Sequence, residues 1–257
     1  MFPADSAVLI IAALLVCSIG FYRFIWFMSV GYGLAIAAIG AVILVLGSGL
    51  KMQAVTAVLC ILLVVYGFRL GGFLLIREVK NAAYKKMLDS QMEKPVPLLI
   101  KVIMWLFMGL LYFCQTSPVW YRVNNTGAMD AIGWLGALVA LAGILMEAEA
   151  DREKSDQKKK RPGKPAMEGL YRFCRCPNYF GELVFWTGIF ISGLSVMKGS
   201  QWAIALIGYV SIAGIMISGA RRLEKRQNHH YGSDPAYQQY AASTPLLVPF
   251  LPVRKQR

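Results

Sequence analysis

The chain has 257 residues, of which 57% are hydrophobic and 16% charged, with a formal net charge of +13 and a mean hydropathy of +0.51. That composition excludes a disordered chain, which is poor in apolar residues, and an ordinary soluble domain, whose surface carries more charge. The cationic surplus would suit nucleic acid, but its placement along the chain argues against that partner.

Seven apolar runs, at 6–22, 27–48, 53–76, 99–120, 130–147, 179–197 and 201–219, approach the ~20 residues a membrane helix needs. They predict an all-α integral membrane protein, a single transmembrane domain over 1–257 with seven transmembrane helices. The first run follows Met1-Phe2-Pro3-Ala4-Asp5, with no basic region ahead of it, and reads as a retained helix rather than a signal peptide. Of 27 Lys and Arg residues, 5 lie in 77–97, 9 in 147–180 and 7 in 220–257. Crossing two helices at a time puts all three segments on one side, and the positive-inside rule makes that side cytoplasmic. The N-terminus is then outside and the C-terminus in the cytoplasm, at the inner membrane if the cell is bacterial. This orientation signal accounts for most of the charge without nucleic acid. The remainder suits an anionic ligand or the headgroups of membrane lipids.

Ionisable residues at membrane depth cost roughly 2.5–3.5 kcal/mol each on insertion scales, which makes them functional candidates. Arg23 lies near the inner end of the first run and can snorkel. Arg69, in the third run, and Glu182, in the sixth, lie within about two turns of the cytoplasmic side. They either snorkel or pair as structural glue, or they face a polar cavity open to the cytoplasm. Tyr66 precedes Arg69 by three residues and shares its helix face. A phenol beside a guanidinium is a candidate proton donor, because the cation favours the phenolate. Asn124-Asn125-Thr126 on an outside loop matches a glycosylation acceptor, a pattern common by chance.

The fifth run continues directly into the polar segment 147–178, which is either a disordered linker or a structured cap. Glu147 and Asp151, four apart, share a helix face, as do Asp151 and Lys154, so the helix should project beyond the bilayer. Cys174 and Cys176 form a C-x-C with no second cluster, a weak zinc signal, and no metal is expected. Past residue 220 the chain is rich in aromatics and prolines (Tyr231, Tyr237, Tyr240, Pro235, Pro245, Pro249, Pro252), which reads as ordered irregular structure.

Residues 169–186, GLYRFCRCPNYFGELVFW, carry the strongest signal. Asn178 and Glu182 are four apart and share a face, Gly181 lets a ligand or a neighbouring backbone come close, and Trp186 lies one turn deeper. A ladder of polar groups runs inward from Arg172 and Arg175 to an aromatic wall, which suits an amphiphilic ligand with an anionic end.

This stretch resembles the signature of the membrane steroid 5-alpha-reductase family, whose C-terminal region is shared more distantly with isoprenylcysteine carboxyl methyltransferases and sterol reductases. The resemblance is strongest over 147–250. It takes in Glu147, Asp151 and Lys158, the closing pattern Tyr231-Gly232-x-Asp234-Pro235-x-Tyr237-x-x-Tyr240, and Tyr66-x-x-Arg69 with Arg77. Cys176 stands where the family usually has His.

The resemblance implies seven membrane helices, with cytoplasmic loops capping a cavity for NADPH. Asn178 and Glu182 would hold the nicotinamide end. Glu147, Asp151, Tyr171 and Tyr179 would contact the rest of the cofactor, and Tyr237 would close over the adenine end. Arg77, Lys158, Arg172, Arg175 and Arg222 would meet the phosphates. Trp186 would line the pocket for a steroid or other hydrophobic enone. Tyr66, supported by Arg69, would donate a proton to the enone carbonyl as hydride reaches the β-carbon. A monomer is expected.

Eukaryotic members place a Gln-Glu pair in the second helix, with the glutamate beside the tyrosine. The second run here, SVGYGLAIAAIGAVILVL, has no acid, and Gln53 is the nearest polar candidate for the substrate. Two further readings compete: a membrane methyltransferase using S-adenosylmethionine, which would share the R-x-P-N-Y core, and a lipid-binding protein that kept the fold without the chemistry.

Overall fold

The structure is a computed structural model that describes residues 5–50, 52–80, 96–125 and 131–251. Met1–Ala4, the basic stretch 81–95, Thr126 of the tripeptide and Pro252 lie outside the described residues. Among the described residues the regular structure is entirely helical. The helices are α1 (Ser6–Cys17), α2 (Val30–Ser48), α3 (Ala54–Lys80), α4 (Leu98–Asn124), α5 (Ala131–Lys160), α6 (Pro177–Gly193), α7 (Gln201–Tyr231) and α8 (Pro235–Ser243). Helix suits a continuous apolar run in hydrocarbon, because each backbone N–H and C=O is then satisfied within its own segment.

Helices α2, α3, α4, α5 and α7 are long and apolar enough to cross a membrane, and the chain is an all-helical, multi-pass membrane protein. The other two expected runs form shorter helices. α1 has 12 residues and gives way to a 3-10 turn at Ser18–Phe21. α6 has 17 residues, beginning at Pro177 and ending at Gly193.

The chain divides into two compact units. The first is Met1–Ala137 with Ile189–Tyr209, and the second is Leu138–Gly188 with Val210–Arg257. In the first unit, α2 and α3 pack backbone to backbone. A Cβ on Gly33 would stand 2.5 Å from the nitrogen of Gly71 and 2.7 Å from the carbonyl oxygen of Gly67, and one on Gly67 only 2.3 Å from the oxygen of Gly33. Gly67 and Gly71 are four apart, the small-residue spacing that lets membrane helices approach closely.

Helix α4 anchors the N-terminal segment with three side chains. Trp105 Nε1 donates to Leu14 O at 2.7 Å, Trp120 Nε1 to Ser6 Oγ at 2.9 Å and Tyr112 Oη to Phe27 O at 2.6 Å. Pro118 lies inside α4 and so deprives the carbonyl of Cys114 of its helical N–H. The hydroxyl of Ser117 donates to that carbonyl instead, at 2.8 Å. Arg122, one turn further on, is buried. Its guanidinium donates to Ser192 O at 2.6 Å, in the last turn of α6, and to Gln53 Oε1 and Thr56 Oγ1 at 3.3 and 3.4 Å. A cation at a helix C-terminus satisfies carbonyls that have no intrahelical partner.

In the second unit, α5 and α6 cross as closely as α2 and α3. A Cβ on Gly143 would lie 2.3 Å from the nitrogen of Phe185, and one on Gly181 would lie 2.7 Å from the nitrogen of Glu147. The space at Gly181 is therefore taken by a neighbouring backbone. The polar end of α5 organises the segment after it, which is structured rather than a disordered linker. Glu153 accepts from the backbone N–H of Leu170 at 2.7 Å, and Gln157 Oε1 from those of Met167 and Glu168 at 2.9 and 3.0 Å. Ala150, Ala166 and Tyr171 form a small apolar core beneath it.

The aromatic tail is ordered too. Asp234 caps α8 by accepting from Ala236 N and pairs with Lys164 at 2.7 Å. Tyr240 donates to Tyr171 O at 2.7 Å, and the backbone N–H of Arg175 to Pro245 O at 2.8 Å.

Candidate active site

The expected site residues fall into two groups, one in each unit. Tyr66, Arg69, Arg77 and Gln53 belong to the first unit and the others to the second.

Tyr66 is fully buried in α3. Its hydroxyl lies 3.1 Å from that of Tyr32 on α2, and the two rings meet edge to face with centroids 6.3 Å apart. Tyr112 lies against Tyr32 at 5.1 Å. Arg69 and Arg77 hold their guanidinium carbons 5.9 and 5.6 Å from the centroid of Phe73, a cation–π arrangement on one face of α3. Gln53, ahead of α3, accepts from Arg122.

Arg23 meets Glu78 in a largely buried ion pair instead of snorkelling to lipid. Trp26 Nε1 donates to the same carboxylate at 3.0 Å.

In the second unit, Glu147 and Asp151 on α5 and Glu182 on α6 are buried acids. Asn178 lies in the first turn of α6, and its Oδ1 is buried with no hydrogen-bond partner. A buried amide oxygen in that state costs free energy unless some donor reaches it. Trp186 is buried one turn below Glu182, edge to face with Phe185 at 5.0 Å. The Tyr179 ring lies over Gly219 of α7, at ordinary contact distance from where a Cβ would be.

The cations of this unit divide by environment. Arg172 and Arg222 are exposed. Arg175 is buried, pairs with Glu224 and donates through Nε to Thr244 O at 3.1 Å. Lys158 donates to Tyr231 Oη at 2.7 Å. Tyr171 donates to Ala150 O at 3.3 Å, and burial pushes its phenol up. Tyr237 donates to Asn228 Oδ1 at 2.6 Å. Cys174 and Cys176 are buried free thiols, pushed up by burial to about 11 and about 12.

Sequence reasoning passed over three residues that the fold brings to prominence. Tyr32 shares a hydrogen bond with Tyr66, Glu78 receives Arg23 and Trp26, and Arg122 ties α4 to α6. The Gly67-x-x-x-Gly71 spacing was the available signal for the first, since it marks where α3 meets a neighbour. Glu78 and Arg122 lie in the last turns of α3 and α4, where charges are ordinarily solvated.

One family model, described as "Protein of unknown function (DUF1295)", matches residues 19–244. The "3-oxo-5-alpha-steroid 4-dehydrogenase 1" of Bos taurus is 24% identical over 169 residues, 62% of this chain and 58% of that protein. The protein of the same name from Macaca fascicularis is 24% identical over 164 residues, 62% of this chain and 57% of the relative. The chain thus spans less than two thirds of the length of these curated relatives. No solved structure matches it with significance.

Proposed function

We propose, of a chain that belongs to the DUF1295 family, that it is a membrane-embedded reductase of the C=C bond of an enone lipid, with NADPH as its reductant. Its similarity to two 3-oxo-5-alpha-steroid 4-dehydrogenases makes a 3-oxo-Δ4 steroid the first substrate to test and 5-alpha reduction the first outcome to look for. The basic segments and the cofactor lie on the cytoplasmic side, with the N-terminus outside.

The observation that carries this reading is the first turn of α6. Asn178 Oδ1 is buried there without a hydrogen-bond partner, four residues from the buried Glu182. A carboxamide offers the N–H donor that the Asn178 oxygen lacks and a second that a carboxylate can accept, so the donor set fits the nicotinamide end of NADPH.

Bound NADPH would supply a hydride to the β-carbon of the enone. The rest of the chemistry falls to this chain's side chains. Tyr66 holds a phenolic proton for the carbonyl oxygen, where negative charge develops, and Arg69 supports it electrostatically. Asn178 and Glu182 orient the carboxamide, while Glu147, Asp151, Tyr171 and Tyr179 line the path outward and Tyr237 the adenine end. The exposed Arg172 and Arg222 meet the phosphates most simply, and Arg77 is assigned the same role. Arg175 and Lys158 already serve Glu224 and Tyr231, so they reach a phosphate only by sharing those bonds. Gln53 and Trp186 are assigned to binding the substrate, and exclusion of water on binding would strengthen each of these interactions.

The test is ligand-induced thermal stabilisation of the detergent-solubilised protein. A ligand that binds only the folded state at a hundred times its Kd stabilises by about 2.7 kcal/mol. NADPH is expected to raise the melting temperature, and S-adenosylmethionine to leave it unchanged. The reverse pattern would replace the reductase with a methyltransferase.

A further inference from the structure

We infer that Tyr32 is a positioning residue for Tyr66: its hydroxyl donates to Tyr66 Oη, so that the Tyr66 proton is directed away from the pair and towards the substrate carbonyl. This rests on the reductase reading and names the second-helix group that completes its proton donor.

Three features of the first unit hold the two phenols together. The hydroxyls are 3.1 Å apart, and both residues are buried, Tyr66 at 0% and Tyr32 at 6% exposure. The close crossing of α2 and α3 is built on Gly33 and Gly67, each the immediate neighbour of one tyrosine. Tyr32 is also held from its far side by the ring of Tyr112 at 5.1 Å, and Tyr112 is itself tethered through its hydroxyl to Phe27 O at 2.6 Å. Tyr32 therefore has little freedom to turn its oxygen elsewhere.

One proton occupies the space between two phenols in contact. With Tyr32 as donor, Tyr66 keeps its own proton for the substrate. As the Tyr66 O–H bond breaks and an O–H bond forms on the enone oxygen, negative charge appears on Tyr66 Oη. The bond from Tyr32 then runs to a charged acceptor, and such bonds are stronger than neutral ones. It is thus worth more in the transition state than in the ground state, as catalysis requires. Tyr32 keeps its proton throughout, and water reprotonates Tyr66 before the next turnover.

Tyr32→Phe preserves the ring against Tyr112 and removes only the oxygen. With NADPH and progesterone, kcat is expected to fall on the order of 10- to 30-fold, the gain of a charged over a neutral acceptor. KM and the NADPH-induced melting shift should stay within about twofold. A solvent deuterium isotope effect on kcat should rise as proton transfer becomes limiting. A readout independent of turnover is the melting cycle of Tyr32→Phe, Tyr66→Phe and the double variant, where the double should lose less than the sum of the singles.

Wild-type kcat in Tyr32→Phe alongside an inactive Tyr66→Phe overturns the proposal and leaves the reductase standing. Additive melting losses overturn it as well, by showing no bond between the phenols. A wild type that neither responds to NADPH nor reduces any enone brings down the reductase reading and this proposal with it.

Discussion

Gly33 and Gly67 are packed so closely that neither has room for a side chain: a methyl on Gly67 would lie 2.3 Å from the Gly33 carbonyl oxygen and 2.6 Å from the nitrogen of Ala37. Backbone cannot retreat as a flexible side chain does, so Gly67→Ala should force α2 and α3 apart and cost about 1–3 kcal/mol of stability, as overpacking does. Enone turnover should fall as well, because the tyrosines beside these glycines separate together. Gly72→Ala is the matched control, since nothing lies within 4 Å of a Cβ there. It should be neutral, or stabilise by up to about 1 kcal/mol through helix propensity. Unfolding in detergent reads both variants.

Tyr66→Phe and Glu182→Ala should divide the proposed activity into its parts. The first removes the proton donor and should lower kcat by about 10²–10³, the usual loss for one oxyanion partner, while the NADPH melting shift survives. The second should weaken or abolish that shift. Full turnover in Tyr66→Phe would remove the tyrosine from its assigned role.

Glu78 serves two donors at once, Arg23 and the indole N–H of Trp26. Truncating one partner of a largely buried ion pair is costly because of the charge left behind. Glu78→Ala should therefore destabilise by about 3 kcal/mol, and Glu78→Gln, which retains an acceptor oxygen, by less. Wild-type melting temperatures in both variants would show that the carboxylate contributes nothing.

Lys164 holds the Asp234 carboxyl below its ordinary range by a hydrogen bond, helped by the backbone N–H of Ala236. A lowered folded value means that the stabilisation is complete above the unfolded carboxylate pKa of about 3.9 and fades as the pH drops through the folded value. Lys164→Met should flatten the acid limb of a melting-temperature profile in this range. An unchanged limb would exclude the pair as its source.

Cys174 and Cys176 are buried, and their thiols are pushed up by that burial to about 11 and about 12. At pH 7.5 almost none of either is thiolate, the reactive form. Iodoacetamide should modify neither in the folded protein and both after denaturation, as peptide masses will show.

The helical runs were legible because long continuous apolar runs satisfy their own backbone as helix, whereas barrel strands are short and alternate, and all seven expected runs coincide with helices. Length was the less legible property. The run 6–22 breaks near Ser18 because a 3-10 turn intervenes, which hydropathy does not register. Within the second unit, the i,i+4 spacing correctly forecast a helix projecting from α5, since Glu153 and Gln157 continue it and hold the loop. The partners of Arg175 and Lys158 lie 49 and 73 residues away along the chain, and no local pattern announces them. Tyr32 was missed because a search for a carboxylate overlooks a phenol.

The tail supplies Pro245 O, Thr244 O and the Tyr240 hydroxyl to the loop that carries Tyr171 and Arg175. These groups follow all seven of α1 to α7 along the chain and leave the ribosome after them. The loop before α6 can thus be fixed in place only after the preceding helices have already been handed to the membrane. Insertion and maturation are then separate events in the life of this protein. A nascent chain stalled after α7 would be lodged in the bilayer yet lack the clasp on that loop.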